Sequence, residues 1–370
     1  MKKIRLSCFE GFKCKADKCR DNCCIGWEID IDQATLEKYK KYEGALKKHF
    51  EKCIDYGENP HFILGENERC PFLNKDGLCD IILDSGEEML CEICDKHPRF
   101  YEWLPGITFE GYGIGCEKAS EMLINCDKQI YFTETEIKDS DEENMPDDKC
   151  EIVLDVLKTA ADIIQGKNYS KERRFSLRLA LLLAFASSVQ NAVEAEEYGM
   201  IREIIALYSD SAYLDKQVIS LGRYASTSWH RSHHQLVDLF KSLESLDERW
   251  HKHLDLLYDF LDVVIDHKSE REYDLIWENM AIYFLFRYLP GAYFDDDFLA
   301  RTKLVISFWL THGLLLRTYI FENLPELAAM FSREIEYSDE NVDILLDSAY
   351  TEECLSLENM LSMLMHLIRI

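Results

Sequence analysis

Apolar positions recur at helical spacing through most of the 370-residue chain, and the pattern is strongest in its second half. From Ser170 the segment SKERRFSLRLALLLAFASSVQNAVEAEE carries charged ends around a strongly apolar centre, the pattern of a helix buried inside a bundle. Further helices are expected over roughly 197–208, 232–245, 247–267, 272–289, 298–322 and 339–369. Leucines and aromatic residues along them are assigned to the core. No fixed repeat period runs through these segments, so an irregular helical bundle is expected rather than a solenoid.

The first third reads differently. Asp32 is placed to cap a helix reaching about Lys52, in which Leu36, Tyr39, Leu46 and Phe50 recur at near-helical spacing. RFYEWLPGITFEGYGIGC alternates aromatic and polar residues around Pro105-Gly106, which predicts a short hairpin ending at Cys116. These pieces are short for a large core, and metal ligation would organise them. Between the halves, EIKDSDEENMPDDK (136–149) holds seven acidic residues and almost nothing to bury, the composition of a solvated linker or exposed loop. The expected fold is mainly α. A cysteine-rich metal-binding region with short helices and a small hairpin (1–135) precedes the acidic segment (136–149), and an irregular helical bundle follows (150–370).

Charge narrows the partners. The net charge of −27 argues against nucleic acid, because binding phosphates requires a basic surface that releases counterions. An acidic face can attract a basic partner or simply aid solubility. The basic N-terminus lacks the apolar region of a signal peptide, and the run LALLLAFA (179–186) is far shorter than a bilayer span. A soluble cytoplasmic protein without membrane contact is expected, in a compartment that keeps thiols reduced.

That compartment changes the meaning of the cysteines. Twelve of the 14 lie before residue 127, so the crowding in the first third reads as a metal site rather than a disulfide framework. They form three groups: Cys14, Cys19, Cys23 and Cys24; Cys70 and Cys79 in CPFLNKDGLC; and Cys91, Cys94 and Cys116. Thiolates suit zinc or an iron–sulfur cluster. Only Cys91 and Cys94 show the C-x2-C spacing usual for zinc, and His97 is the sole nearby histidine, so an iron–sulfur centre is favoured, with zinc as runner-up. Adjacent Cys23 and Cys24 either serve different metal atoms or divide between ligation and packing. Cys8, Cys53, Cys126, Cys150 and Cys354 are read as ordinary thiols. The C-x3-C-x2-C signature of radical S-adenosylmethionine enzymes begins at Cys19 and Cys23 but meets Gly26 at its third position.

In order, CRDNCCIGWEIDID, CPFLNKDGLC, CDKHPRF and GCEKASEMLI resemble the flagellin lysine-N-methylase family. The first two motifs and the cysteine of the third are also similar to iron- or zinc-chelating cysteine-cluster proteins. The resemblance covers about residues 8–126. It implies methyl transfer from S-adenosylmethionine to lysine ε-amines of flagellin, with an iron–sulfur cluster, of the 4Fe-4S type, involved. Carried over residue by residue, it implies metal ligation by Cys14, Cys19, Cys23, Cys24, Cys70, Cys79, Cys94 and Cys116, with Trp27, Asp32, Pro98 and Arg99 among the matching positions. The sequence departs from the family at LCEIC, which adds Cys91, at His97, and at Gly-Cys-Glu-Lys, where the family has Ser-Cys-Pro-Glu.

Methyl transfer to lysine requires the neutral amine, whose free pKa is about 10.4, so a desolvating wall and a proton acceptor are needed. Trp27, Tyr101, Trp103 and Tyr112 are candidate walls, and Asp30, Asp32 and Glu102 candidate acceptors. Of these Asp30, Asp32 and Tyr101 are the catalytic candidates, while Arg99 and Trp27 are candidates for holding the cofactor. Each has a plain alternative: Trp27 as packing against the metal site, Asp32 as a helix cap, Arg99 as the lock of its proline turn. No glycine-rich strand-to-helix turn marks a site for S-adenosylmethionine. His230, His233, His234, His251 and His253 have spacings that allow a second metal site, but without an acid or cysteine pattern around them they read as exposed helix ends. The competing function is a non-enzymatic cysteine-cluster protein, binding iron or zinc, whose helical half grips a partner.

Overall fold

The computed structural model describes residues 1–20, 22–136, 145–171, 173–226, 229–266, 274–318 and 323–369. In chain order the first elements are β1 (Lys2–Leu6), α1 (Gln33–Lys41), α2 (Lys47–Cys53), β2 (Ile54–Asp55), β3 (His61–Phe62), α3 (Asp80–Ser85) and α4 (Glu92–Lys96). A mixed stretch follows: β4 (Arg99–Leu104), β5 (Ile107–Tyr112), α5 (Glu117–Ile124) and β6 (Phe132–Glu136). Helices then dominate: α6 (Asp148–Gln165), α7 (Phe175–Glu194), α8 (Tyr198–Tyr208), α9 (Ser211–Leu221), α10 (Trp229–Ser242) and α11 (Glu248–Asp266). The remainder is α12 (Asp274–Tyr288), α13 (Ala292–Asp295), α14 (Phe298–Thr318), α15 (Leu324–Phe331), α16 (Asp339–Thr351) and α17 (Leu357–Arg369). The fold is mainly α, as the periodicity predicts.

The chain forms two compact units, and they do not follow a boundary at residue 135. The helical unit comprises 1–10, 101–111 and 120–370; the cysteine unit comprises 11–100 and 112–119. Strand pairing is the reason. β1 runs parallel to β5 (Lys2 opposite Ile107) and antiparallel to β6 (Lys2 opposite Glu136), in a sheet of order β4-β5-β1-β6. Ile4 and Leu6 are buried, whereas Lys3 and Arg5, on the other face of β1, reach the Glu110 carboxylate at 2.7 and 3.0 Å. Phe109 and Phe132 bring β5 and β6 against Phe286 of α12. Polar side chains complete the attachment: Asn279 accepts from the Ile130 amide and donates to the Lys128 carbonyl, and Gln165 donates to the Ile130 carbonyl. These bonds satisfy the backbone entering β6, which would otherwise be buried without partners.

Within the helical unit α7, α12 and α14 are buried on nearly every face, and α7 packs on α6, α8, α14 and α17. α7 has the length and apolarity to cross a bilayer, and here most of its surface is covered by those neighbours. The hairpin around Pro105-Gly106 is present as β4 and β5. Other expectations need correction. The segment 32–52 forms two helices, because Tyr42 is extended (ψ 130°) and closes α1. The segment 339–369 likewise divides at extended Glu352 and Ser356. α6 was not anticipated; Asp147 caps it through the Cys150 amide, and Gly166 closes it at φ 69°. Most of the acidic segment expected at 136–149 lies outside the described residues; its end is the cap and first turn of α6.

The cysteine unit has a core of its own. Tyr39 stacks on Phe50 at 4.2 Å, and Phe72 meets both Phe50 and Phe62 at 4.9 Å, with Ile29, Ile31, Leu36 and Ile81 around them. Its short elements are therefore organised by aromatic packing as well as by any metal.

Candidate metal centre

Local turns in the cysteine unit bring the thiols into two groups. In CPFLNKDGLC the Asn74 side chain accepts from the amides of Asp76 and Leu78, both at 3.0 Å, and Gly77 supplies the left-handed residue at φ 76°. This turn returns the chain so that Leu73 pairs with Cys79. Cys70 is tied to the first motif by its amide, which donates to the Cys24 carbonyl at 2.9 Å. Cys70 and Cys91 are core residues, and Cys24, Cys79 and Cys94 pack against the same core. The first group is thus Cys24, Cys70, Cys79, Cys91 and Cys94, and their mutual electrostatic influence reflects that proximity.

The second group is Cys14, Cys19, Cys23 and Cys116. Cys116 feels Cys23 and Cys14, and Cys19 feels Cys116 and Cys23. Glu117 anchors this group: its carboxylate accepts from Lys15 at 2.5 Å, from the Arg20 amide at 2.7 Å and from the Cys19 thiol at 3.5 Å. Burial opposes its charge, yet these donors, Lys15 foremost, hold its pKa at about 2. Cys23 and Cys24 therefore divide between the two groups while their side chains stay in hydrogen-bonding contact, and that contact is the first cause of the high Cys23 pKa.

Thiol chemistry differs across the set. Burial pushes Cys70 up to about 11 and Cys19 up to about 12, the latter helped by Glu117. Burial likewise raises Cys79 and Cys116, partly offset by helix-start amides, Ile82 and Ile81 for Cys79 and Ala119 and Lys118 for Cys116. Cys91 runs the other way: a hydrogen bond from Cys94 lowers it below the ordinary thiol value, while Cys94 is raised by the same contact. Cys91 is thus the more acidic thiol of the pair, although the resemblance carries over only Cys94; the C-x2-C spacing is the signal for it in the sequence. Glu117 had no sequence signal beyond following Cys116. All fourteen cysteines are free thiols. Among those read as ordinary, burial holds Cys150 and Cys354 protonated, at about 12 each.

The donor set fits a thiolate-bound metal. Soft ligands converge in a partly apolar setting; the His97 ring, tilted against Trp27 at 5.9 Å, interacts with the Cys23 thiol, and its Nε2 is buried without a hydrogen-bond partner. No three of these sulfurs lie mutually within 4.8 Å among the described residues.

The remaining candidates have identifiable places. Asp32 Oδ1 caps α1 through the Thr35 amide and Oδ2 accepts from the Glu92 amide, both at 2.8 Å. Burial works against its charge, but the Glu92 and Thr35 amides keep the carboxyl below the usual range. Both oxygens are committed to the backbone. Asp30 is exposed and its backbone bridges to His61. Trp27 donates to the Cys23 carbonyl at 2.6 Å and packs against the core that holds Cys24. Arg99 donates to the Asp95 carbonyl at 3.2 Å and lies 5.2 Å from the Tyr112 ring centre, which closes the turn after α4. In the helical unit Tyr101 stacks on exposed Trp103 at 5.4 Å on β4, and strand alternation sends Glu102 to the opposite face. Burial raises Glu102, against the pull of Arg301. Gly26 adopts φ 92°, a backbone that strains any L-residue, so the position where a radical signature has cysteine is built for glycine.

The domain described as the FliB lysine N-methylase C-terminal domain matches residues 158–363, more than half of the chain. A lysine-N-methylase of Salmonella choleraesuis (strain SC-B67) is 26% identical over 121 residues, 31% of this chain and 30% of that protein. A lysine-N-methylase of Salmonella typhimurium (strain LT2) is 25% identical over 123 residues, with the same shares. The flagellar biosynthetic protein FliU of Salmonella muenchen is 25% identical over 123 residues, 31% of this chain and 72% of FliU. The matched stretch thus spans about a third of the length of the two lysine-N-methylases. No solved structure matches.

Proposed function

The chain belongs to the FliB lysine N-methylase family, and from that premise we propose that it is a methyltransferase that moves a methyl group from S-adenosylmethionine to lysine ε-amines of flagellin. The match of residues 158–363 to a lysine N-methylase domain carries this reading. The lysine nitrogen attacks the methyl carbon of the sulfonium, the S–C bond breaks, and S-adenosylhomocysteine and a proton leave. The charge of −27 favours the approach of lysine-bearing segments and of the cationic sulfonium.

Iron–sulfur binding is part of the same proposal. Cys14, Cys19, Cys23 and Cys116 would hold one centre, and Cys24, Cys70, Cys79 and Cys94, with Cys91 beside it, a second. A bound cluster supplies Lewis-acidic or redox-active iron at a fixed place. The chain's own residues hold the frame: Glu117 fixes the Cys14–Cys19 loop, Asp32 ties α1 to the turn of Cys91 and Cys94, and Arg99 closes the next turn. Because Asp32 already accepts two amides, deprotonation of lysine is better assigned to a carboxyl not so committed. Asp30 meets that condition, as does Glu102, whose raised pKa brings it nearer to base strength at neutral pH. The free thiols suit a reducing compartment.

The test is transfer of a labelled methyl group from S-adenosylmethionine to the host's flagellin by anaerobically purified protein. Labelled lysine in the flagellin is the expected result. An intact, iron-loaded protein that leaves every lysine mass unchanged overturns the enzyme reading and favours a cysteine-cluster binding module.

A further inference from the structure

Two of the histidines that sequence spacing left as helix ends meet a carboxylate in space. His230 and His234 stand four residues apart on α10, and their rings lie 5.1 Å apart on one face of that helix. From α11, Asp262 presents Oδ1 to both: 2.5 Å to His230 Nε2 and 3.4 Å to His234 Nε2. Among the described residues this is the one place where three potential ligand atoms of different His, Cys, Asp or Glu residues lie mutually within 4.8 Å. We propose that His230, His234 and Asp262 form a binding site for a divalent first-row transition metal, with zinc as its expected occupant and water in the fourth position.

The donor chemistry carries this beyond a surface ion pair. Two imidazoles direct the same type of nitrogen at one oxygen, so as a purely hydrogen-bonded cluster both must donate to a single acceptor. A metal ion instead takes one lone pair from each of the three groups. With bonds of about 2.0–2.1 Å, tetrahedral ligand atoms sit roughly 3.3 Å apart. The His234–Asp262 distance already has that value, and the His230 contact needs to open by less than 1 Å between half-exposed side chains. The Tyr258 ring, 4.8 Å from that of His234 and edge-on, holds the imidazole in position. Imidazole with carboxylate is a harder donor set than the thiolates of the cysteine unit, so the site would select zinc, nickel or copper and not an iron–sulfur cluster. Its effect is to bridge α10 and α11. His233 is buried, and His251 pairs instead with Ser245 Oγ at 2.8 Å, so neither belongs to it.

The site does not depend on the methyltransferase reading, and its test uses the full chain with its cysteines already loaded anaerobically with iron. Zinc is titrated by equilibrium dialysis into wild type, H230Q, H234Q, D262N and a control H251Q. Relative to wild type and H251Q, each of the three site variants is expected to lose one zinc ion per chain at zinc concentrations that saturate wild type, its affinity at this site falling at least about tenfold, with a zinc-dependent rise in melting temperature lost in parallel. Diethyl pyrocarbonate labelling of the unmodified chain adds a reading independent of variant folding: zinc protects His230 and His234 but not His251. Equal zinc affinity in wild type and all three variants, or unchanged labelling of His230 and His234, overturns the site.

Discussion

Asp32 illustrates how much one short side chain organises. It caps α1 through Thr35 and also holds the Glu92 amide next to Cys91. D32A is expected to cost about 0.5–2 kcal/mol, the usual range for a lost cap, and to reduce any iron the chain retains by loosening the turn of Cys91 and Cys94. D32N keeps an acceptor for one amide and should retain most of both, as read from urea unfolding and iron per chain. Gly26 yields a contrasting prediction. An added Cβ there meets nothing within 4 Å, so G26A should lose only the cost of the left-handed backbone, about 1–2 kcal/mol in a chemical melt, with iron content unchanged. A loss of iron in G26A would show that its backbone, and not only its neighbours' thiols, shapes the centre. The cap at Asp32 was legible from the sequence because Thr35 is three residues away. Its bond to Glu92 was not, because sixty residues of chain separate the partners and no periodicity encodes their meeting. Glu117 follows the same logic: its place next to Cys116 is visible in the sequence, whereas its bonds to Lys15 and the Arg20 amide, about a hundred residues away, appear only after folding.

Among the elements, α14 makes the sharpest physical prediction. It carries His312 into a fully buried position against Phe331, with ring centres 5.2 Å apart, and neither ring nitrogen has a hydrogen-bond partner. Burial lowers its pKa to about 3 from the model-peptide value of 6.5. The folded state therefore binds the proton more weakly than the unfolded state. Its contribution is fully present above pH 6.5 and is lost progressively as pH falls toward about 3. At about 1.4 kcal/mol per pH unit, the loss over that interval is on the order of 5 kcal/mol. H312L removes the titrating group from an apolar setting, so its stability should fall less steeply than that of wild type between pH 6.5 and 4, measured by denaturant unfolding at a series of pH values. Identical slopes would mean that His312 is not the group responsible. Helices such as α7, α8 and α14 were readable because an apolar stripe or core survives any tertiary context. The breaks at Tyr42 and Glu352 were not, since extended residues interrupt a pattern that itself continues. α6 was missed although Asp147 and Gly166 are ordinary boundary residues, because the acidic run before it dominated the local composition.

At the scale of the whole molecule, the domain boundary was misplaced because cysteine density marks chemistry and not chain topology. β1, β5 and β6 lie within the cysteine-rich stretch of sequence but close a sheet whose buried face belongs to the helical unit. The same separation between composition and topology bears on the metal count. Cys23 acts on Cys116 and Cys24 on Cys94, while the two adjacent thiols touch each other, so the ligands can be grouped as one shared centre or as two. Two independent centres and one shared centre predict different losses. C14S removes an exposed thiol from the Cys116 group, and C79S a half-buried thiol from the Cys70 group, so neither change should collapse the aromatic core around Tyr39 and Phe50. With two centres, each variant purified anaerobically should retain about half of the wild-type iron and labile sulfide per chain, and the double variant almost none. With one shared centre, both single variants should fall together toward zero. Comparing methyl transfer in the two half-loaded proteins then separates a centre that serves chemistry from one that serves folding, because losing the folding centre also lowers the denaturation midpoint whereas losing the other need not.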